Sequence, residues 1–311
     1  EKEYLIQKYI LVPSKTKDTY LYFITKAIEL LKKEGHFGII IPNTWLLINN
    51  TENFRKMLLE YNLTEIIDLG DGVFGEATVE SSIIILKKEN SKNKSCKVMR
   101  FKKRLKLFEH IIPINIWLNQ SYCKIIIDLN LKKNALQERL KKNSKFFFEY
   151  AEIIWGIKPY QIGHGTPAQT KDILEKRIYH SAEKKGNEWK PLLVGKDVDR
   201  YILKFPGNQY IKYGKWLMYL SNERFMLEPK ITIRQTSDKI RACYDNKGYY
   251  CQNSLFIVHS DKIDLKFLLA LLNSRLFEWL YYLSNPQKGK VFAEIKPSAI
   301  KNLPLKVRTE K

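Results

Sequence analysis

Phe37-Gly38-Ile39-Ile40-Ile41-Pro42 decides the first fold assignment. It is a short, continuous apolar run, the form taken by a strand covered on both faces of a sheet. Upstream, residues 19–33 place Tyr22, Phe23, Ala27, Leu30 and Leu31 at helical spacing, and Gly35 is the terminator. Downstream, 51–61 predicts a second helix with Phe54, Met57 and Leu58 turned inward. Residues 64–69 predict another strand, and 78–86 a third through Val79, Ile83, Ile84 and Ile85. Strands alternating with helices at this spacing predict a largely parallel sheet covered by helices, an α/β arrangement.

Beyond residue 90 the character changes. From Ser91 to Lys145 there are 12 Lys and three Arg against Glu109, Asp128 and Glu138 alone. Residues 97–103 predict a strand and 134–142 a helix. The segment reads as a basic connector, although 111–118 is apolar enough to pack on something. From 146 onward the segments are short and broken by Gly, Pro and Asn. Strands are predicted at 177–180, 209–213, 231–235 and 255–259, one long helix at 265–283, and a closing strand or turn at 299–305. This is a mixed α+β domain. The predicted division is therefore 1–90, 91–145 and 146–311.

The 311 residues carry 54 Lys+Arg against 33 Asp+Glu, a net charge of +21. A surplus this large points to a polyanion, because each phosphate neutralised releases counterions. The bland reading is a lysine-rich surface that is merely solvated; it does not explain why over half the excess falls in 91–145. Cys96, Cys123, Cys243 and Cys251 show no CxxC spacing, and with five scattered histidines they form no zinc pattern. Free thiols, no signal peptide and no apolar run of membrane-spanning length predict a cytoplasmic protein with no membrane partner. The chain opens on Glu1-Lys2-Glu3 without Met, which reads as the interior of a longer product.

Several segments resemble one family. Asp18-Thr19-Tyr20-Leu21-Tyr22-Phe23 leading into Ala27-Ile28-Glu29-Leu30-Leu31-Lys32 resembles the helix that follows the catalytic motif in TaqI-like amino-methyltransferases. The run from Gly35 through Pro42-Asn43-Thr44-Trp45-Leu46 is similar to their next strand and loop. Ile66-Ile67-Asp68-Leu69 followed by Val73-Phe74-Gly75-Glu76-Ala77-Thr78-Val79 resembles the segment whose aromatic residue faces the flipped adenine. Leu193-Val194-Gly195-Lys196-Asp197-Val198-Asp199-Arg200-Tyr201 resembles a signature of the TaqI-like C-terminal specificity domain. Glu228-Pro229-Lys230-Ile231, Tyr249-Tyr250-Cys251-Gln252-Asn253-Ser254, Leu271-Leu272-Asn273-Ser274-Arg275-Leu276 and Ile300-Lys301-Asn302-Leu303-Pro304 fit the same domain. The likeness spans nearly the whole chain and is weakest over 90–145.

The resemblance implies the C-terminal part of a Rossmann-like methyltransferase sheet, then a basic connector, then a separate target-recognition domain. It implies an adenine-specific DNA methyltransferase of the restriction-modification kind that uses S-adenosylmethionine and needs no metal. Double-stranded DNA and the upstream methyltransferase half are the implied partners. The family's cofactor-binding glycine turn and its Asn/Asp-Pro-Pro-Tyr/Phe amine-binding motif are not in this sequence. Gly70-Asp71-Gly72 and Gly163-His164-Gly165 do not open a helix after a strand as a cofactor turn must. No catalytic residue is therefore assigned, and the chain alone is expected to bind DNA without methylating it. Phe74 is the implied flipped-base stacking residue; the bland alternative is a loop aromatic closing the sheet end. Trp45 is read as core packing.

A reader of base edges uses Arg on guanine and Asn or Gln on adenine. The candidates for DNA contact are Lys158, Gln161, Lys196, Arg200, Arg234, Gln235, Arg241 and Asn253, with Lys288 and Lys290 in a basic loop. Each is also a possible phosphate contact or solvated group, and Lys196-Asp197 also reads as a pair shaping a turn. Two other function classes stay open: a non-enzymatic specificity subunit partnering a separate methylase, and an RNA or protein methyltransferase. Residues 1–90 weigh against the first and the specificity-domain pattern against the second.

Overall fold

The computed structural model describes residues 2–10, 12, 18–70, 72–74, 79–89, 94–102, 104–285 and 293–307. Lys288 and Lys290 lie outside the described residues. The chain divides into two compact units, 1–139 and 140–311.

Unit 1 is built on a five-stranded sheet in the order β1-β3-β2-β4-β5. The strands are β1 His36–Pro42, β2 Asn62–Gly70, β3 Ser81–Lys87, β4 Ser95–Lys102 and β5 Leu105–Pro113. The helices are α1 Lys2–Lys8, α2 Tyr20–Leu30, α3 Glu52–Glu60 and α4 Ile114–Leu118, and α5 Leu131–Lys141 contains the boundary between the two units. The sheet is mixed rather than largely parallel: β2 and β4 pair in parallel, and every other pairing in it is antiparallel. The α3 crossover does leave β1 and β2 running the same way, as strand–helix alternation requires. The reason they are not neighbours is that β3 returns between them and pairs antiparallel with both. The basic segment 91–145 supplies β4 and β5 to this same sheet.

The core of unit 1 includes Leu58, Leu63, Ile66, Ile84, Val98 and Trp117, all fully buried. Phe54, Met57 and Leu58 of α3 face inward as expected. On α2 the buried row is Leu21, Ile24, Thr25 and Ile28, while Phe23 and Leu30 are 70% and 72% exposed. The helix is apolar nearly all round, so spacing alone admitted either row. β1 is an edge strand whose residues are mostly exposed or half-buried, not covered on both faces. One buried cation organises the loop after β1. The Arg55 guanidinium donates to the carbonyls of Trp45 (2.6 Å), Ile48 (2.8 Å), Tyr122 (2.7 Å) and Cys123 (3.0 Å). Burial pushes its pKa down to about 10. Trp45 is fully buried against Phe54, edge to face, in agreement with the packing role.

Unit 2 holds two four-stranded sheets. The first has the order β14-β13-β16-β7, from β7 Glu152–Trp155, β13 Lys230–Arg234, β14 Ala242–Asp245 and β16 Leu255–His259. The second has the order β15-β9-β12-β8, from β8 His180–Ser181, β9 Trp189–Leu193, β12 Tyr210–Lys212 and β15 Tyr250–Cys251. Two small pairs complete it: β10 Val198–Asp199 with β11 Ile202–Leu203, and β6 Lys145–Phe146 with β17 Pro304–Leu305. β16 is buried at all five positions. Phe256 and Val258 enter one core with Ile231, Ile233, Leu268 and Phe277. Leu255 and Ile257 enter another with Ile157, Leu193 and Tyr250. A central strand with a core on each face reads as an unbroken apolar run.

The helices of unit 2 are α6 Lys171–Lys176, α7 Glu223–Leu227, α8 Leu265–Leu272, α9 Arg275–Ser284 and α10 Pro297–Lys301. The single helix expected over 265–283 is thus two. Ser274 stops the first and caps the second, its hydroxyl accepting the Phe277 N–H at 3.1 Å. The strand expected at 177–180 is only β8, because Arg177 takes a left-handed conformation (φ 48) that ends α6.

Candidate functional site

Two groups of residues stand out, one in each unit. In unit 1 a polar network sits where β1 and β2 end. Asp68 is buried, and it lies between the apolar residues Ile67 and Leu69 of β2. Its Oδ1 accepts from the Gly70 N–H (3.3 Å) and the Asn43 side-chain amide (3.2 Å), and its Oδ2 from Arg100 Nε (2.7 Å). Arg100 Nη1 continues to Asp128 Oδ2 at 2.6 Å. The same Asn43 amide also reaches Glu80 Oε2 at 3.2 Å. A buried carboxylate is tolerable only when a cation and further donors satisfy it, and all are present here. Gly70 (φ +72) turns the chain out of β2, and Phe74 follows four residues on, 51% exposed. The ends of strands in such sheets are where ligands gather.

In unit 2 the segment Cys251–Leu255 is a hub. Gly156 runs so close to it that a Cβ would lie 2.3 Å from the Gln252 carbonyl, so only glycine fits. Ile157 N–H donates to the Cys251 carbonyl (2.7 Å), and Asn253 N–H returns to the Ile157 carbonyl (2.8 Å). Gln252 N–H donates to Leu193 O (2.9 Å), Gly195 N–H to Ser254 Oγ (2.9 Å) and Gln235 N–H to Ser254 O (3.0 Å). The Arg234 stem lies against Gly195, 3.7 Å from where its Cβ would be. Ile157, Gly195 and Gln235 thus meet this turn, which itself carries Asn253, and Lys158, Lys196 and Arg234 are their neighbours in sequence, up to 95 residues from Asn253. Gln161 joins them by accepting from Lys158 Nζ at 2.8 Å, and its amide contacts His164 Nε2 at 2.8 Å.

Arg200 and Arg241 are placed differently. Arg241 Nη1 contacts Asp199 at 2.8 and 3.1 Å. The Arg200 N–H (2.7 Å), with the Arg241 guanidinium, holds the Asp199 carboxyl below its ordinary range. Arg200 Nε donates to the Asn273 carbonyl (3.2 Å), and its guanidinium lies 5.2 Å from the Tyr201 ring. Asn273 pairs with the Ala242 backbone through both ends of its amide, 3.1 and 2.9 Å, like one more strand residue. Asp197 shapes the preceding turn by accepting from Val194 N–H and Gln209 Nε2, each 2.8 Å, while Lys196 beside it is exposed.

Sequence reasoning did not single out Asn43, Asp68 and Arg100 as a group. A charged residue inside Ile66-Ile67-Asp68-Leu69 was the available signal. Nor did it mark Tyr201, 51% exposed and left-handed (φ 61) at the tip of the β10–β11 hairpin. All four cysteines are buried and free, and burial pushes the Cys243 thiol up to about 11. Among the described residues no group of three or more His, Cys, Asp or Glu could hold a metal ion, and no helix is long and apolar enough to cross a membrane.

Comparison with known proteins gives two family matches. Residues 190–305 match the TaqI-like C-terminal specificity domain, and residues 1–74 match the Eco57I restriction-modification methylase. A putative type II restriction enzyme and methyltransferase of Methanocaldococcus jannaschii is 28% identical over 285 residues, covering 85% of this chain and 22% of that protein. The type II restriction enzyme and methyltransferase RM.Eco57I of Escherichia coli is 35% identical over 91 residues, covering 28% of this chain and 9% of that protein. The chain spans less than a quarter of the length of either relative. Among solved structures, the Type IIL restriction-modification enzyme MmeI, determined in complex with DNA, has a similar fold. Its TM-score is 0.53 at 11% identity, covering 91% of this chain and 41% of that chain.

Proposed function

We propose that this chain, which belongs to the restriction-modification methylases carrying a TaqI-like C-terminal specificity domain, is the DNA-gripping and target-reading part of a site-specific adenine methyltransferase. The observation that carries the reading is that the backbone at Ile157, Gly195 and Gln235 bonds to the Cys251–Leu255 turn, which sets Lys158, Lys196, Arg234, Gln235 and Asn253 on it or one residue from its contacts. Cations grip phosphates, while Arg, Asn and Gln can bridge base edges. The DNA complex of the MmeI enzyme supports duplex DNA as the partner. That residues 1–74 match a methylase favours a methyltransferase over a non-enzymatic reader.

Unit 1 is read as the C-terminal part of a Rossmann-like sheet, with the basic residues of 91–145 extending it toward DNA. β1 pairs only with β3 among the described strands, so its other edge is open to a strand from the upstream half. An adenine amine lies inside the base stack, and extruding it costs roughly a few kcal/mol. Phe74, exposed beyond β2, returns about 1–3 kcal/mol by stacking on the extruded base. S-adenosylmethionine supplies the methyl group in the full-length protein. The residues of this chain do not fit it: among the described residues neither glycine pair opens a helix, and Gly163 closes a loop by donating to the Gln169 carbonyl. Holding the cofactor and the amine is assigned to the upstream half, and the work is placed in the cytoplasm.

The test measures duplex binding by this chain across salt concentrations, together with transfer of labelled methyl groups. Expected are an affinity that falls steeply with salt, because bound phosphates release counterions, and no transfer by the chain alone. Binding indifferent to salt, or methylation by these 311 residues, would overturn the reading.

A further inference from the structure

We propose that Asn43 and Arg100 are positioning residues for the segment that carries Phe74, acting together through Asp68. The segment leaves β2 after Gly70, two residues beyond Asp68, and re-enters the sheet at Ser81, just after Glu80. Both stems are held by one side chain: the Asn43 amide donates to Asp68 Oδ1 and Glu80 Oε2, each at 3.2 Å. The Asn43 backbone N–H donates to the Glu80 carbonyl at 3.0 Å, which ties the second stem to the end of β1. Asp68 also fixes the exit turn through the Gly70 N–H. Arg100, from β4, holds the far side of the same carboxylate at 2.7 Å and is itself anchored on Asp128.

Stabilising the sheet does not require this arrangement. An apolar pair at 68 and 100 would hold two neighbouring strands as well or better, because burying charges costs as much as their attraction returns. The network does what an apolar pair cannot. It joins three strand ends by directional bonds at the place where the Phe74 segment begins and ends. A stacking platform must be held near its productive orientation before the base arrives. This inference rests on reading Phe74 as the base-stacking residue.

The test follows amide hydrogen exchange of the 72–80 peptide in the full chain, alongside thermal unfolding, for Asn43→Ala, Asn43→Asp, Arg100→Gln and Arg100→Lys. Asn43→Ala and Arg100→Gln are expected to speed exchange there roughly tenfold, the loss of one charge-assisted hydrogen bond, while peptides of unit 2 keep their rates. Asn43→Asp keeps the shape but sets a third carboxylate between two others, so it should loosen the segment more than alanine does. A space-filling role for Asn43 predicts instead that aspartate behaves as wild type. Arg100→Lys retains the charge, keeps the carboxylate compensated and should restore most of the protection. Exchange at 72–80 unchanged in both Asn43→Ala and Arg100→Gln would overturn the proposal. If the segment loosens while Phe74→Ala leaves methyl transfer by the longer enzyme intact, the positioning role stands and the base-stacking reading falls.

Discussion

Lys230 Nζ lies 2.6 Å from Asp245 Oδ2, with both side chains fully buried in unit 2. Lys230 also donates to the Met226 carbonyl at 2.6 Å, and Asp245 accepts from the backbone of Lys247 and Tyr249. The pair thus ties β13 to the turn leading into β15, next to the hub at Cys251. Lys230→Met strands a buried carboxylate and should cost about 3–5 kcal/mol. Denaturant unfolding of the full chain, followed by tryptophan fluorescence, checks it. An unchanged midpoint for the unit 2 transition would show that the pair contributes nothing.

The proposed stacking role of Phe74 predicts that chemistry and binding separate. In the longer enzyme, Phe74→Ala should lower methyl transfer by roughly 5- to 150-fold, the equivalent of about 1–3 kcal/mol of lost stacking. Duplex affinity should hold, because the proposed role of Phe74 is to stack on the base and not to bind phosphate. Phe74→Trp should keep most of the rate. Equal loss of rate and of affinity in Phe74→Ala would point to a damaged unit rather than a lost base contact.

The side chains gathered at the Cys251–Leu255 turn should divide by chemistry. Lysine acts as a point charge on phosphate, whereas Arg234 and Asn253 can bridge base edges. Lys196→Ala should weaken binding to all duplexes alike and reduce the salt slope by about one. Arg234→Ala should cost about 1–3 kcal/mol on the preferred sequence and relax selectivity at one position. Binding to randomised duplexes, scored by sequencing, distinguishes the two; uniform loss in both variants would make Arg234 a phosphate contact.

His180 gives unit 2 an acid sensitivity. Tyr160 accepts the Tyr179 N–H at 3.0 Å, so its own hydroxyl can donate to His180 Nδ1 at 2.9 Å. The ring's Nε2 is buried with no hydrogen-bond partner. Burial first, and then the Arg177 guanidinium, pushes the imidazole from its ordinary 6.5 down to about 4. Between those values the unfolded chain carries a proton that the folded chain refuses. Stability is therefore complete above pH 6.5 and falls as pH drops toward 4. Unfolding midpoints at pH 7.0, 5.5 and 4.5 should converge for His180→Phe relative to wild type. Parallel profiles for the two proteins would remove His180 from the account.

What could be read from the sequence follows the physics of each element. The stretch 255–259 was legible because a strand with a core on each face is nearly all apolar, here from Leu255 to Val258, and 51–61 because its inward row is unambiguous. α2 misled because it is apolar nearly all round, so the buried row is set by what it packs on. The break at Asn273-Ser274 was hidden, since a capping serine inside an apolar run looks like a tolerated polar residue. Sheet polarity failed where β3 turned back between β1 and β2, a choice made by pairing rather than by local pattern. The polar network was invisible for the same reason: Asn43 and Arg100 lie 25 and 32 residues from Asp68, and only the sheet joins them.

Selection from a pool of randomised duplexes by this 311-residue chain, at physiological salt, addresses the target-reading claim most directly. Enrichment of one short sequence, lost when Arg234 and Asn253 are both replaced by alanine, is the expected result. Retention of the pool without enrichment, or no retention at low salt, would contradict the claim that these residues read DNA.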